Sequence, residues 1–186
     1  MAPEDGFPPA DATPGGAVAC RLLLFRHAKA IAKDRPVRDF DRPLRKRGRS
    51  DAPRAGRWLA DSALQPDLVL CSPARRARET WQLAARALEY PPPAVYDERL
   101  YKAPPGDLVA VLAERGRGLA SVMLVGHNPG LHELAAGLCT GGPPELLERL
   151  RTKLPTSALV VIDVPGGRRS LSSGSGTLAA LWSPAD

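Results

Sequence analysis

"LLLFRHAKA", residues 22–30, opens with four apolar residues and then delivers an arginine, a histidine and a lysine within four positions. An unbroken apolar run of this length is the pattern of a strand buried on both faces, as in parallel sheets. The strand is taken as "CRLLLF", 20–25, and the charges fall at its end. Further runs follow the same scheme: "DLVLCS" (67–72), a short third strand at the start of "PAVYDERLY" (93–101), and "ASVMLVG" (120–126). Between them lie segments of helical periodicity. One begins near Ser50 or Asp51, so that Pro53 falls in the first turn. The others are "ARRARETWQLAARAL" (74–88), "GDLVAVLAERG" (106–116) and "NPGLHELAAGL" (128–138). Two last runs, 157–164 and 176–183, predict a hairpin joined by a Gly/Ser-rich turn region.

Strands alternating with helices define the fold class as α/β: a single-domain three-layer sandwich, a mostly parallel central sheet with helices on both faces. In such sheets the ligand lies beyond the carboxyl ends of the strands. Arg26 and His27 follow the first strand, Ser72 the second, and His127 the "VMLVG" strand. The topology therefore brings two histidines a hundred residues apart to one sheet edge.

Composition narrows the function without naming it. The chain has 186 residues, enough for one sizeable core, and no apolar run long enough to span a membrane. The net charge of +6 is compatible with an anionic partner, although on charge alone a solvated basic surface is the simpler reading. The basic run "RPLRKRGR" lacks interleaved aromatics, so nucleic acid is not expected as that partner. Cys20, Cys71 and Cys139 are odd in number and far apart, which implies neither a disulfide framework nor a zinc cluster. Residues 1–19, acidic at the start and rich in Pro and Gly, are expected to be a disordered leader before a domain over 20–186. With no signal-peptide pattern, the expected compartment is the cytoplasm.

A neutral imidazole among guanidinium groups suits one chemistry well. Fixed positive charge depresses the histidine pKa and keeps the ring nucleophilic near neutral pH. The same arginines clamp a tetrahedral dianion and stabilise its charge during transfer. Attack on phosphorus then gives a phosphohistidine intermediate, and no metal or other cofactor is expected.

Four segments carry a family resemblance: "FRHAKA", "RPLRKRG" (42–48), "SPARRARET" (72–80) and "LVGHNPG" (124–130). In order and rough spacing they resemble the histidine phosphatase (phosphoglycerate-mutase-like) superfamily. The short length and the RHxK and RPLxxRG combination look most like its SixA-type phosphohistidine phosphatase branch. The resemblance spans roughly residues 20 to 183. It implies that His27 is the phosphoryl acceptor, Arg26 and Arg76 are phosphate clamps, and His127 donates a hydrogen bond to the phosphoryl oxygens. Arg75 is the neighbouring decoy, about 100° away on a helix. Lys29, Arg42 and Asn128 are the further substrate-binding candidates, Lys29 standing equally well as a solvated rim charge.

Two positions are left open. The family glycine after the nucleophile is Ala28 here, which would cost about 1–2 kcal/mol if that position needs a positive φ. The proton donor is either Glu98, placed after the third strand, or absent, Glu98 then being an exposed loop charge; Asp97 would project the other way. His132 is expected to be a helix residue outside the chemistry, and Ser72 to cap the helix that presents Arg76. The expected substrate is a phosphorylated protein, most simply one bearing phosphohistidine. The alternatives are a small phosphate ester such as a sugar or nucleotide phosphate, or a phosphate-binding module with weak turnover. The expected partners beyond substrate are none: no nucleic acid, no membrane, a monomer.

Overall fold

The apolar run of residues 22–25 sits at the centre of a seven-stranded sheet, in the strand β1 (Cys20–Arg26). The computed structural model describes residues 20–165 and 171–184; the expected leader over 1–19 lies outside them. After β1 come α1 (Lys46–Asp61), β2 (Leu68–Cys71), α2 (Arg75–Ala85), β3 (Ala94–Tyr96), α3 (Pro105–Arg115) and β4 (Ser121–Gly126). They are followed by α4 (Gly130–Leu138), β5 (Cys139–Gly141), α5 (Pro144–Thr152), β6 (Leu159–Val164) and β7 (Gly176–Trp182). Short 3₁₀ turns occupy Asp39–Asp41 and Glu98–Leu100. The sheet order is β3-β2-β4-β1-β6-β7-β5. The β3/β2, β2/β4, β4/β1 and β5/β7 pairs are parallel, and β1/β6 and β6/β7 antiparallel. The predicted α/β class and mostly parallel sheet hold, and the last two long strands pair as the predicted hairpin.

Alternation along β1 builds both cores. Leu22 and Leu24 pack with α3, α4 and α5 side chains such as Leu112, Leu131 and Leu150. Leu23 and Phe25 face the other way, against Ala55 and Leu59 of α1 and Trp81 of α2. All four are essentially fully buried, which is why the run shows no polar position. The three cysteines are buried within this packing. Among the described residues no helix is long and apolar enough to cross a membrane.

The structure departs from the sequence expectation in three elements. α1 begins at Lys46, so Pro53 lies inside it rather than in its first turn. Tertiary contacts hold the earlier turn. The Arg45 N–H donates to the Lys29 carbonyl at 2.9 Å and the Leu44 N–H to Glu79 Oε2 at 2.7 Å. Gly48 lets the helix touch the 28–30 segment, since a Cβ there would stand 2.2 Å from the Lys29 carbonyl oxygen. The proline costs one helical hydrogen bond, and these contacts compensate. β5 and α5 were not foreseen. β5 is three residues long and pairs only at an edge. α5 did carry a signal, Pro144 at its start with Leu147 and Leu150 buried at helical spacing.

Candidate active site

Register delivers the reactive groups. Arg26 pairs with Gly126, the His27 N–H donates to the Gly126 carbonyl at 3.0 Å, and the Ser72 N–H donates to the Val125 carbonyl at 2.9 Å. Three parallel strands thus release residues 27, 72 and 127 at one edge. There a cleft of about 620 Å³ opens, lined by Arg26, His27, Arg42, Arg76, His127 and Asn128 among others.

Arg76 is the hub. Its side chain is almost wholly buried, and it donates from Nε to His27 Nε2 at 3.3 Å and from Nη1 to the Asp39 carbonyl at 2.6 Å. Nη2 reaches both Asp39 Oδ2 and His127 Nδ1, each at 3.2 Å. Arg75 points to solvent and pairs with Glu79 at 2.7 Å, as a residue about 100° round the helix must.

The partners fix both histidine tautomers, because a carbonyl only accepts and a guanidinium only donates. His27 Nδ1–H donates to the Ala28 carbonyl at 2.8 Å, leaving a lone pair on Nε2 turned toward Arg76. His127 Nδ1 accepts from Arg76, so its Nε2–H donates to Ser72 Oγ at 2.8 Å. Both rings are neutral. Burial pushes the His27 pKa down to about 3, with Arg76, Arg26 and Arg42 adding to it against the pull of the Ala28 carbonyl. Burial lowers His127 to about 2, reinforced by His27 and Arg76. The two ring centroids are 5.1 Å apart. Such a pair can present a nucleophilic nitrogen to an electrophile held by the surrounding cations.

The residue that sequence reasoning missed is Asp39. Its carboxylate accepts from Tyr101 Oη at 2.6 Å and from Arg42 Nε at 3.0 Å, and it pairs with Lys102 at 2.9 Å as well as with Arg76. Partial burial works against its ionised form, but Tyr101, Lys102, Arg76 and Arg42 outweigh this and hold it well below the usual carboxylate range. It ties three cations of the cleft into one network. A faint signal existed: Asp39 stands three residues before Arg42 in a polar loop.

The remaining predicted residues divide. Arg42 is buried and also donates to the Ile31 carbonyl at 2.5 Å. Arg26 donates to the Leu154 carbonyl at 2.7 Å, and Asn128 Nδ2 meets the same oxygen at 2.9 Å. Lys29 lines the cleft with an exposed side chain. Glu98 does not join them: it is exposed in its 3₁₀ turn and outside the cleft lining. Asp97 turns inward instead and is bound by Arg99 at 2.7 Å and Arg115 at 3.7 Å. Ser72 lies just ahead of α2, where its Oγ accepts from the N–H of the N-cap residue Ala74 at 3.4 Å rather than from the first helical turn; it is fully buried and also serves His127. His132 bonds the Leu150 carbonyl at 2.6 Å, away from the cleft. Ala28 is unstrained, for it is not among the described non-glycine residues with positive φ. Its methyl packs with Leu44 and Ala52, behind the cleft. Among the described residues no group of three or more His, Cys, Asp or Glu is placed to hold a metal ion.

Fold and site together define a phosphoryl-handling α/β protein, and the comparisons say which. Residues 22–108 match the model of the histidine phosphatase superfamily, branch 1. An uncharacterized protein of Mycobacterium tuberculosis is 37% identical over 162 residues, 86% of this chain and 99% of that one. The solved structure of SixA from Agrobacterium tumefaciens is 32% identical, with a TM-score of 0.74 over 89% of this chain and 99% of that one. A structure of the protein histidine phosphatase SixA complexed with tungstate is 28% identical, with a TM-score of 0.71 over 89% and 97%. The chain belongs to the histidine phosphatase superfamily. It is a phosphatase of the histidine-nucleophile kind, similar to the SixA proteins, and its substrate is a phosphorylated compound.

Proposed function

We propose that His27 is the nucleophile and that the substrate is phosphohistidine carried on a protein, hydrolysed without a metal. The observation that carries this reading is the Ala28 carbonyl on His27 Nδ1–H, which leaves Nε2 unprotonated in a cleft of fixed cations. The Nε2 lone pair attacks phosphorus, and the bond to the leaving group breaks with its electron pair going to that group. Water then attacks the phosphorylated His27, and phosphate departs as Nε2 recovers its lone pair. Arg26 and Arg76 hold the equatorial oxygens through charge-assisted bonds. For His127 to donate to the phosphoryl oxygens, Nδ1 takes a proton from solvent as the dianion enters, and Arg76 Nη2 turns from that nitrogen to the dianion.

The leaving group decides between substrates. An alkoxide needs an acid, worth about 10²–10⁴-fold. Among the described residues Asp39 is the one carboxylate that lines the cleft, and four donors hold it ionised. Glu98, the acid weighed from the sequence, faces solvent. An imidazole leaving group supplies its own proton near neutral pH, with a pKa around 6.5. The cleft therefore suits an N–P bond better than an O–P bond. The name of the tungstate-bound relative, a protein histidine phosphatase, agrees. Three buried cysteines, odd in number and far apart in the chain, fit a reducing compartment such as the cytoplasm.

The test is hydrolysis in EDTA of an aryl phosphate, which has a good leaving group, beside a labelled phosphohistidine protein. The proposal expects turnover of both, lost in His27→Asn, with the phosphohistidine protein preferred in kcat/KM. Preference for a sugar or nucleotide phosphate would replace the substrate assignment. Binding of phosphate without any turnover would overturn the enzymatic reading.

A further inference from the structure

The cleft carries more positive charge than one phosphoryl group requires. Seven Lys and Arg side chains line it, and Asp39 is the single acid among the described lining residues. That carboxylate is committed to Arg42, Arg76 and Lys102. Arg26 is held by the Leu154 carbonyl. Lys29, Lys33 and Arg45 remain, exposed and with no acidic partner among the described residues.

Two of these are set against each other by the fold. Ala30 bridges Leu44 in antiparallel fashion, the Ile31 N–H donates to the Pro43 carbonyl at 3.0 Å, and the Arg45 N–H donates to the Lys29 carbonyl at 2.9 Å. In that register Lys29 stands directly opposite Arg45. Like charges at directly opposed positions of an antiparallel pair repel and destabilise it. The pair is also rigid, because α1 is pressed onto the Lys29 backbone at Gly48, where no side chain fits. A built-in repulsion on a fixed rim, facing the cleft and lacking a counter-ion, is the arrangement of an anion site.

We propose that Lys29 and Arg45, assisted by Lys33, form a second anion subsite on the outer wall of the cleft, which binds a further anionic group of the molecule whose phosphoryl group lies at His27. The inference rests on the phosphatase reading for the inner site and adds a selectivity to it. The second group is a carboxylate beside the phosphorylated residue of a protein, or a second phosphoryl group on a small molecule. Both present the same chemistry to an ammonium and a guanidinium.

Calorimetric titration with inorganic phosphate and with pyrophosphate tests the subsite without needing turnover. The wild-type protein is expected to prefer pyrophosphate by about tenfold, the sum of two partly exposed charge contacts. Lys29→Gln/Arg45→Gln should bring the two anions to within about threefold of each other. The same double variant should unfold at an equal or higher temperature when no anion is added, because it removes a repulsion. Equal affinities in the wild type, a preference kept in the variant, or a lowered melting temperature of the variant would each overturn the subsite. Phosphohistidine peptides with acidic or neutral flanking residues separate the two sources. Faster turnover of the acidic peptide by wild type alone assigns the group to protein, and equal turnover assigns it to a second phosphoryl. Absence of aryl phosphate turnover in the wild type would sink the phosphatase reading and leave the binding result standing.

Discussion

Replacing Arg76 by lysine keeps the charge and removes the geometry, which makes it the sharpest single perturbation of this site. The guanidinium donates from all three nitrogens, to His27, to the Asp39 carbonyl and carboxylate, and to His127, over distances of 2.6–3.3 Å. An ammonium is a point donor and cannot span those acceptors, so the planar fork proposed for the phosphoryl oxygens is lost. Loss of one preorganised donor at developing charge costs about 10²–10³ in rate, or about 2.7–4 kcal/mol. Stability should fall less, by about 1–2 kcal/mol, because Arg42, Tyr101 and Lys102 still satisfy Asp39. The control is the adjacent Arg75→Lys, which touches only an exposed i,i+4 pair worth about 0.3–0.5 kcal/mol. Steady-state kcat/KM on an aryl phosphate in EDTA, with urea unfolding in parallel, measures both. Arg76→Lys within a few-fold of wild type, or Arg75→Lys equally impaired, would refute the assignment of Arg76 as the clamp.

Further expectations concern the histidines, Ala28 and Gly48. His27 and His127 are neutral in the fold with pKa values pushed below the ordinary 6.5, so the unfolded chain binds more protons between about pH 3 and 6.5. Their contribution to stability is complete above pH 6.5 and falls as the pH drops through that window. Urea unfolding at pH 5 and pH 7.5 should show a smaller difference for His27→Asn/His127→Asn than for wild type, and equal differences would contradict the burial of neutral rings. Ala28→Gly removes a buried methyl and stiffness from an unstrained backbone, and should cost about 1–2 kcal/mol with little change in turnover. Improved activity would mean the methyl does narrow the cleft. Gly48→Ala drives a Cβ into the Lys29 carbonyl and should cost about 1–3 kcal/mol by urea midpoint, with turnover lowered because the 28–30 segment moves.

What the sequence made legible follows from where its signals are local. β1, β2 and β4 are short unbroken apolar runs, and the rule that parallel strands present a site at their carboxyl ends places His27, Ser72 and His127 together. The family resemblance singled out Arg76, and the helical angle set Arg75 apart from it, as the buried and exposed positions of the two side chains bear out. Asp39 escaped because its role is made by four partners from three separate segments, and its spacing from Arg42 marks only one of them. Glu98 drew attention by position in the chain, but the 3₁₀ turn at Glu98–Leu100 breaks the extended geometry from which its direction was inferred, and Asp97 takes the inward place. The start of α1 has no local signal: Pro53 favours a later start, and the anchoring of Leu44, Arg45 and Gly48 to residues distant in the chain overrides it.

The central claim is that phosphoryl transfer passes through His27. Alkaline quenching of the enzyme during turnover of a labelled phosphoryl donor, followed by peptide mapping, tests it most directly. The account predicts one acid-labile, alkali-stable phosphoryl group on the peptide containing His27, absent from His27→Asn, which is also inactive. Label on the His127 peptide, or full turnover by His27→Asn, would contradict it.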